Sequence, residues 1–120
     1  MKKILVVDDE PDLVKAIEIR LKAENYQVFT AFDGEEGLAK AREVLPNLII
    51  LDIMLPKIHG FKICRLLKFD EKYKDIPVIM LTAKTEEEDK ALGKETGANE
   101  YIAKPFDWKF LIEKVNEHLK

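Results

Sequence analysis

The sequence predicts an α/β fold, a three-layer doubly wound (βα)5 parallel sheet with the flavodoxin-like strand order 2-1-3-4-5. Three observations lead there. Apolar runs that do not alternate with polar residues recur at 4–7, 48–51 and 78–81, the pattern of strands covered on both faces. Segments of helical period separate these runs. The chain has 120 residues, enough for one domain and not two, so residues 1–120 read as one unit. Right-handed crossovers then leave few other arrangements.

In chain order, Ile4-Leu5-Val6-Val7 is the first strand. Leu13, Ile17 and Leu21 follow at i, i+4 and i+8, with Ala16 on the same face, and predict the first helix. Gln27-Val28-Phe29-Thr30 alternates, as a half-covered edge strand would. Asp33 with Glu36 has the spacing of a capping box at the second helix, and Thr85 with Glu88 has it at the fourth. Tyr101-Ile102-Ala103 is the fifth strand. Behind an N-cap at Asp107, Leu111, Ile112, Val115 and Leu119 form one apolar stripe. Prolines 11, 46, 56, 77 and 105 fall between elements or at their starts, where proline is tolerated.

Composition narrows the function classes. Hydrophobic residues make up 47% and charged residues 36% of the chain, with a net charge of -3. That balance fits a globular protein and predicts no direct nucleic-acid binding. The apolar run after Met1-Lys2-Lys3 is cut off at Asp8, too short for a signal peptide. No segment approaches the roughly 20 apolar residues of a membrane span. A single cysteine, Cys64, forms no internal disulfide, which points to a reducing, cytoplasmic setting.

The polar residues carry the functional signal. Asp8 and Asp9 follow the first strand, Asp52 the third, while Thr82 ends the fourth and Lys104 the fifth. In a parallel sheet these ends share one edge, and strands one and three flank the switch point where ligands bind. Two carboxylates about 5 Å apart repel by roughly 3 kcal/mol at an effective dielectric near 20. Protons, a cation or Lys104 must neutralise such a cluster. Oxygen ligands with open positions favour a hard divalent ion, and Mg²⁺ keeps waters while reaching phosphate oxygens. A carboxylate beside it can attack phosphorus, with Lys104 and Thr82 stabilising the transferred group. The chemistry is that of a Mg²⁺-assisted phosphoryl acceptor. An acidic helix start complements the helix dipole, but that leaves Asp52 and Lys104 unexplained.

These residues resemble the response-regulator receiver domains of bacterial two-component systems. The resemblance runs from Ile4-Leu5-Val6-Val7-Asp8-Asp9-Glu10 through Leu51-Asp52-Ile53-Met54-Leu55-Pro56 and Leu81-Thr82-Ala83 to Lys104-Pro105-Phe106. It implies that Asp52 accepts a phosphoryl group from a sensor histidine kinase or a small phosphodonor. Asp9, Asp52 and the Met54 backbone carbonyl would bind Mg²⁺ directly, and Asp8 through water. Lys104 would pair with the acyl phosphate, and the Lys104-Pro105 bond would be cis. Thr82 and Tyr101 match the family's switch pair, which re-shapes the face of the fourth helix, fifth strand and fifth helix. That face would serve a downstream target protein or a homodimer of the phosphorylated form. The sequence departs from the usual pattern at His59-Gly60, where Asp often precedes the glycine, and at Asn99, where Asp is common. Met54 and Lys84 occupy positions that vary in the family and tune phosphate lifetime.

Other residues read more plainly. His59 is a loop residue, His118 sits at a helix C-terminus, and Cys64 serves packing. On a helical wheel Phe110 points away from the apolar stripe of the last helix, which would suit a partner anchor. A receiver cut from a longer protein with a DNA-binding output domain and a single-domain regulator fit this sequence equally, while two rival functions fit less well. Aspartyl-phosphate hydrolases carry a second Asp two residues past the first, where this chain has Met54, so the reading is not an enzyme with turnover. Flavin or nucleotide binders need a phosphate cradle after strand one, where Asp8-Asp9-Glu10-Pro11-Asp12 would repel phosphate.

Overall fold

The computed structural model describes residues 1–82 and 97–119. The predicted fourth helix with its Thr85–Glu88 capping box, and Ala83 and Lys84, lie outside the described residues. The elements are β1 (Lys3–Val7), α1 (Pro11–Ala23), β2 (Gln27–Ala31), α2 (Gly34–Val44) and β3 (Leu48–Asp52). They continue with α3 (Gly60–Lys68), β4 (Val78–Thr82), β5 (Glu100–Ala103) and a last helix, α4 (Trp108–Leu119). The five strands are parallel, in the order β2-β1-β3-β4-β5.

The continuous apolar runs do what their pattern requires. Every residue of β3 and β4 is buried, and β2, at the sheet edge, is only partly covered. Alternate residues feed two cores. Ile4, Val6, Leu48, Ile50, Ile79, Leu81 and Ile102 pack under α1 and α4. Leu5, Val7, Ile49, Leu51, Val78 and Met80 pack under α2 and α3. Each fully buried aliphatic side chain contributes roughly 1.5–3 kcal/mol, so both layers hold the sheet.

The helix starts follow the capping rules. Pro11 begins α1, where its missing N–H costs nothing. Asp33 accepts from the Glu36 N–H at 2.8 Å, the N-cap half of the predicted box, while Glu36 reaches one residue past the N-cap and accepts from the Phe32 N–H at 2.9 Å. Asp107 accepts from the Lys109 N–H at 3.0 Å and caps α4. One expectation shifts. The buried face of α1 is Val14, Ile17 and Leu21, while Leu13 and Ala16 are only partly covered. Leu13 turns toward Lys104, Pro105 and Phe106 and lines a groove with them. In α4, Leu111 and Val115 are buried with Ile112 and Leu119 at their flank. Among the described residues no helix is long and apolar enough to cross a membrane.

Candidate functional site

Strand parity assembles the site. Val6, Ile50 and Ile102 point into the core beneath α1 and α4; two residues further on come Asp8, Asp52 and Lys104, so the pleat turns all three to one side of the sheet edge. Main-chain hydrogen bonds continue past the strands and hold that edge. The Asp8 N–H donates to Ala31 O at 3.2 Å, Ile53 N–H to Leu81 O at 3.1 Å, and Lys104 N–H to Thr82 O at 2.6 Å. The Lys104–Pro105 peptide is cis, as expected.

Two glycines let the surrounding loops close on this edge. A Cβ on Gly60 would lie 2.1 Å from the Asp52 carbonyl oxygen, and its N–H donates to Ile53 O at 2.8 Å. Only glycine admits the start of α3 so close to the end of β3. A Cβ on Gly34 would lie 1.9 Å from Ile58 O. The loop between β3 and α3 is thus clamped between two helix starts. His59 caps α3 without a side-chain bond, which agrees with a plain loop residue.

Lys104 organises the charges. Its Nζ lies 2.8 Å from Asp8 Oδ2, 3.4 Å from Glu10 Oε1 and 3.5 Å from Asp52 Oδ2. Asp8 is fully buried and Asp52 nearly so. The second Asp8 oxygen accepts the Glu10 N–H at 3.0 Å. Burial pushes the Asp52 carboxyl up to about 6, helped by the charges of Asp8 and, more weakly, Asp9; Lys104 and the Met54 N–H pull the other way. Burial draws the Lys104 ammonium down, but its hydrogen bond to Asp8 and the charges of Asp8, Asp52 and Glu10 leave it above the usual range. The site therefore holds more negative charge than one lysine balances.

That surplus suits a cation. Among the described residues, oxygens of Asp8, Asp9 and Glu10 lie within 4.8 Å of one another. An all-oxygen set at the mouth of a buried acidic pocket is the donor chemistry of Mg²⁺. Glu10 completes this group, while Asp52 meets the cluster through Lys104. Sequence reasoning named Glu10 only as part of a motif. The signal available was the unbroken acidic run, but not the reach of its side chain back to the fifth strand.

The remaining residues fall as follows. Thr82 is buried at the end of β4 and shares the parity of Val78 and Met80. Tyr101, paired in register with Met80, packs against the same core, so both occupy the α2–α3 face of the sheet. Met54 is exposed, and its N–H lies 3.4 Å from Asp52 Oδ1. Phe110 is 43% exposed and lines a groove with Tyr101, Ala103 and Asp107. Asn99 accepts the Val78 N–H at 2.9 Å, a bond that the more common Asp could also accept. Cys64 is buried in α3, and His118 approaches Glu100 at 3.3 Å.

Comparison with known proteins gives one consistent family. Residues 4–116 match the response regulator receiver domain model. The chain is 50% identical over 105 residues to the alkaline phosphatase synthesis transcriptional regulatory protein PhoP of Bacillus subtilis, covering 88% of this chain and 43% of PhoP. It is 42% identical over 120 residues to the DNA-binding dual master transcriptional regulator RpaA of Synechocystis, covering all of this chain and 50% of RpaA. Among solved structures, the chemotaxis protein CheY4 of Vibrio cholerae superposes with a TM-score of 0.90 at 35% identity, over 98% of both chains.

The chain spans about half the length of the curated relatives it matches. This corrects the expected set of partners, which left nucleic acid out. RpaA and MtrA are named as DNA-binding regulators. The net charge of -3 describes these 120 residues alone and says nothing of a surface carried elsewhere in a longer protein. From its motifs, sheet order and relatives alike, the chain belongs to the response regulator receiver domain family.

Proposed function

We propose that residues 1–120 form one receiver unit in which Asp52 accepts a phosphoryl group from a histidine kinase or a small phosphodonor. The observation that carries this reading is the buried Asp52 carboxylate, 3.5 Å from a lysine that Asp8 already holds at 2.8 Å. An Asp52 oxygen attacks phosphorus, the bond from phosphorus to the donor breaks, and the donor leaves with its electron pair. The product is an acyl phosphate on Asp52. The Lys104 ammonium lies where the transferred group gains charge, and the Thr82 hydroxyl ends the neighbouring strand.

Asp8, Asp9 and Asp52, with the Met54 carbonyl, would hold Mg²⁺, which would neutralise charge on the phosphoryl oxygens. The chain's own chemistry would stop at gaining and losing this one group, as befits a switch.

The output would follow from Thr82 and Tyr101, which share one face of the sheet. Phosphorylation would bias an equilibrium between two arrangements of that face. In a protein that joins this chain to a second half, as in the relatives named for transcription or DNA binding, the switch would control contact with DNA. The chemotaxis neighbour, matched over 98% of its chain, supports a second reading in which the unit acts alone.

Intact mass after incubation with Mg²⁺ and acetyl phosphate tests the proposal. It predicts a gain of one phosphoryl group that disappears without Mg²⁺. No gain, under conditions that label a proven receiver, would overturn it.

A further inference from the structure

The placement of Glu10 is not explained by the start of α1. It is the N-cap residue, but its side chain makes no cap bond. Its backbone is fixed at both ends: the N–H donates to Asp8 Oδ1 at 3.0 Å, and the carbonyl accepts the Val14 N–H at 3.0 Å. From this anchored position the side chain reaches Lys104, and Oε1 lies 3.4 Å from Nζ. Asp52 lies at nearly the same distance, 3.5 Å. Two carboxylates thus stand at nearly equal distance from an ammonium that Asp8 holds more closely.

The two competitors differ in freedom. The Glu10 side chain is 62% exposed and that of Asp52 is 9% exposed. An ion pair whose carboxylate is this exposed is weak, so Glu10 can release Lys104 at little cost. Glu10 also lines the groove shared by Leu13, Lys104, Pro105, Phe106 and Trp108. An anionic donor reaching Lys104 by that groove meets this carboxylate.

Resting on the reading of Asp52 as the acceptor, we propose that Glu10 is a positioning residue that restrains Lys104 in the resting site and yields it to the incoming phosphoryl group. Glu10 thereby sets how readily the site is charged. It forms no bond to phosphorus.

Two variants separate restraint from simple repulsion. Glu10→Gln removes the charge at constant size. Glu10→Asp keeps the charge but is one methylene too short to span to Lys104. The second-order rate of phosphorylation by acetyl phosphate is measured at saturating Mg²⁺, at low and high salt, with melting temperatures as a folding control. Both variants are expected to react several-fold faster than the parent, Glu10→Gln the fastest. The advantage should shrink at high salt, where an exposed pair is screened; a merely structural role would give no such dependence. A Glu10→Asp rate equal to the parent's, or rates equal to or below the parent's in both variants, would overturn the restraint and leave the acceptor reading intact. Failure of the parent protein itself to gain a phosphoryl group would overturn both.

Discussion

Two acidic clusters follow adjacent parallel strands on the same edge of this sheet, and they have opposite fates. After β2, Asp33 accepts the Glu36 N–H and Glu36 accepts the Phe32 N–H, and the Glu36 N–H holds the Asp33 carboxyl below its usual range. Helix capping accounts for both side chains. After β1, the N-cap residue Glu10 makes no side-chain cap for α1. Asp8 and Glu10 instead converge on Lys104, and burial, with the charges of Asp8 and Asp9, raises the Asp52 carboxyl to about 6. An acidic run at a helix start becomes informative only when capping fails to account for it.

Breaking the second cluster should cost function most. Lys104→Met should slow phosphorylation by acetyl phosphate about a hundredfold, the scale of losing one charge-stabilising group; a rate within twofold of the parent would remove Lys104 from the mechanism. Gly60→Ala attacks the same cluster through the backbone. A Cβ 2.1 Å from Asp52 O must push α3 away, at a cost of about 3 kcal/mol, which urea denaturation would measure.

Breaking the first cluster should leave function alone. Asp33→Ala should lower the melting temperature by a few degrees, as loss of an N-cap does, with the phosphorylation rate unchanged. A slower rate would mean that the two clusters are coupled, for which the 3.6 Å approach of Lys57 to Asp33 offers a route.

The smallest effect concerns pH without added metal. Asp52 has a folded value of about 6 against an ordinary 3.8. Between those values the folded protein holds the proton more tightly than the unfolded chain, so the wild type loses stability as pH rises through about 6. Asp52→Asn should therefore be the more stable protein at pH 7, by on the order of 1 kcal/mol, as urea denaturation would measure. The gap should close toward pH 4. A gap that widened on acidification would contradict the assigned cause.

Much of this was legible in the sequence for physical reasons. Runs such as Leu48-Ile49-Ile50-Leu51 cannot leave either face in water, so they declare a covered parallel sheet, and the observed order follows. Polar residues at the ends of such runs then fall on one edge, and Asp8, Asp52 and Lys104 meet there.

Other features depend on distances that a one-dimensional pattern does not carry. Val14 rather than Leu13 seals α1 because the packing of the helix on the sheet, not its period alone, selects the buried face. The sequence places Gly60 after His59 but does not show that the Asp52 carbonyl stands against it. Glu10 reaches a residue 94 positions away. The omission of nucleic acid from the expected partners came from asking a charge count on half of a relative's length to speak for the whole.

The central claim is that Asp52, and none of the other carboxylates on this edge, becomes phosphorylated. Borohydride reduction of the protein after acetyl phosphate and Mg²⁺ treatment converts an aspartyl phosphate to homoserine, which peptide mass spectrometry locates. The account predicts homoserine at position 52 and none in the Asp52→Asn variant. Homoserine at position 8, 9 or 33 instead, or unchanged labelling of the variant, would contradict it.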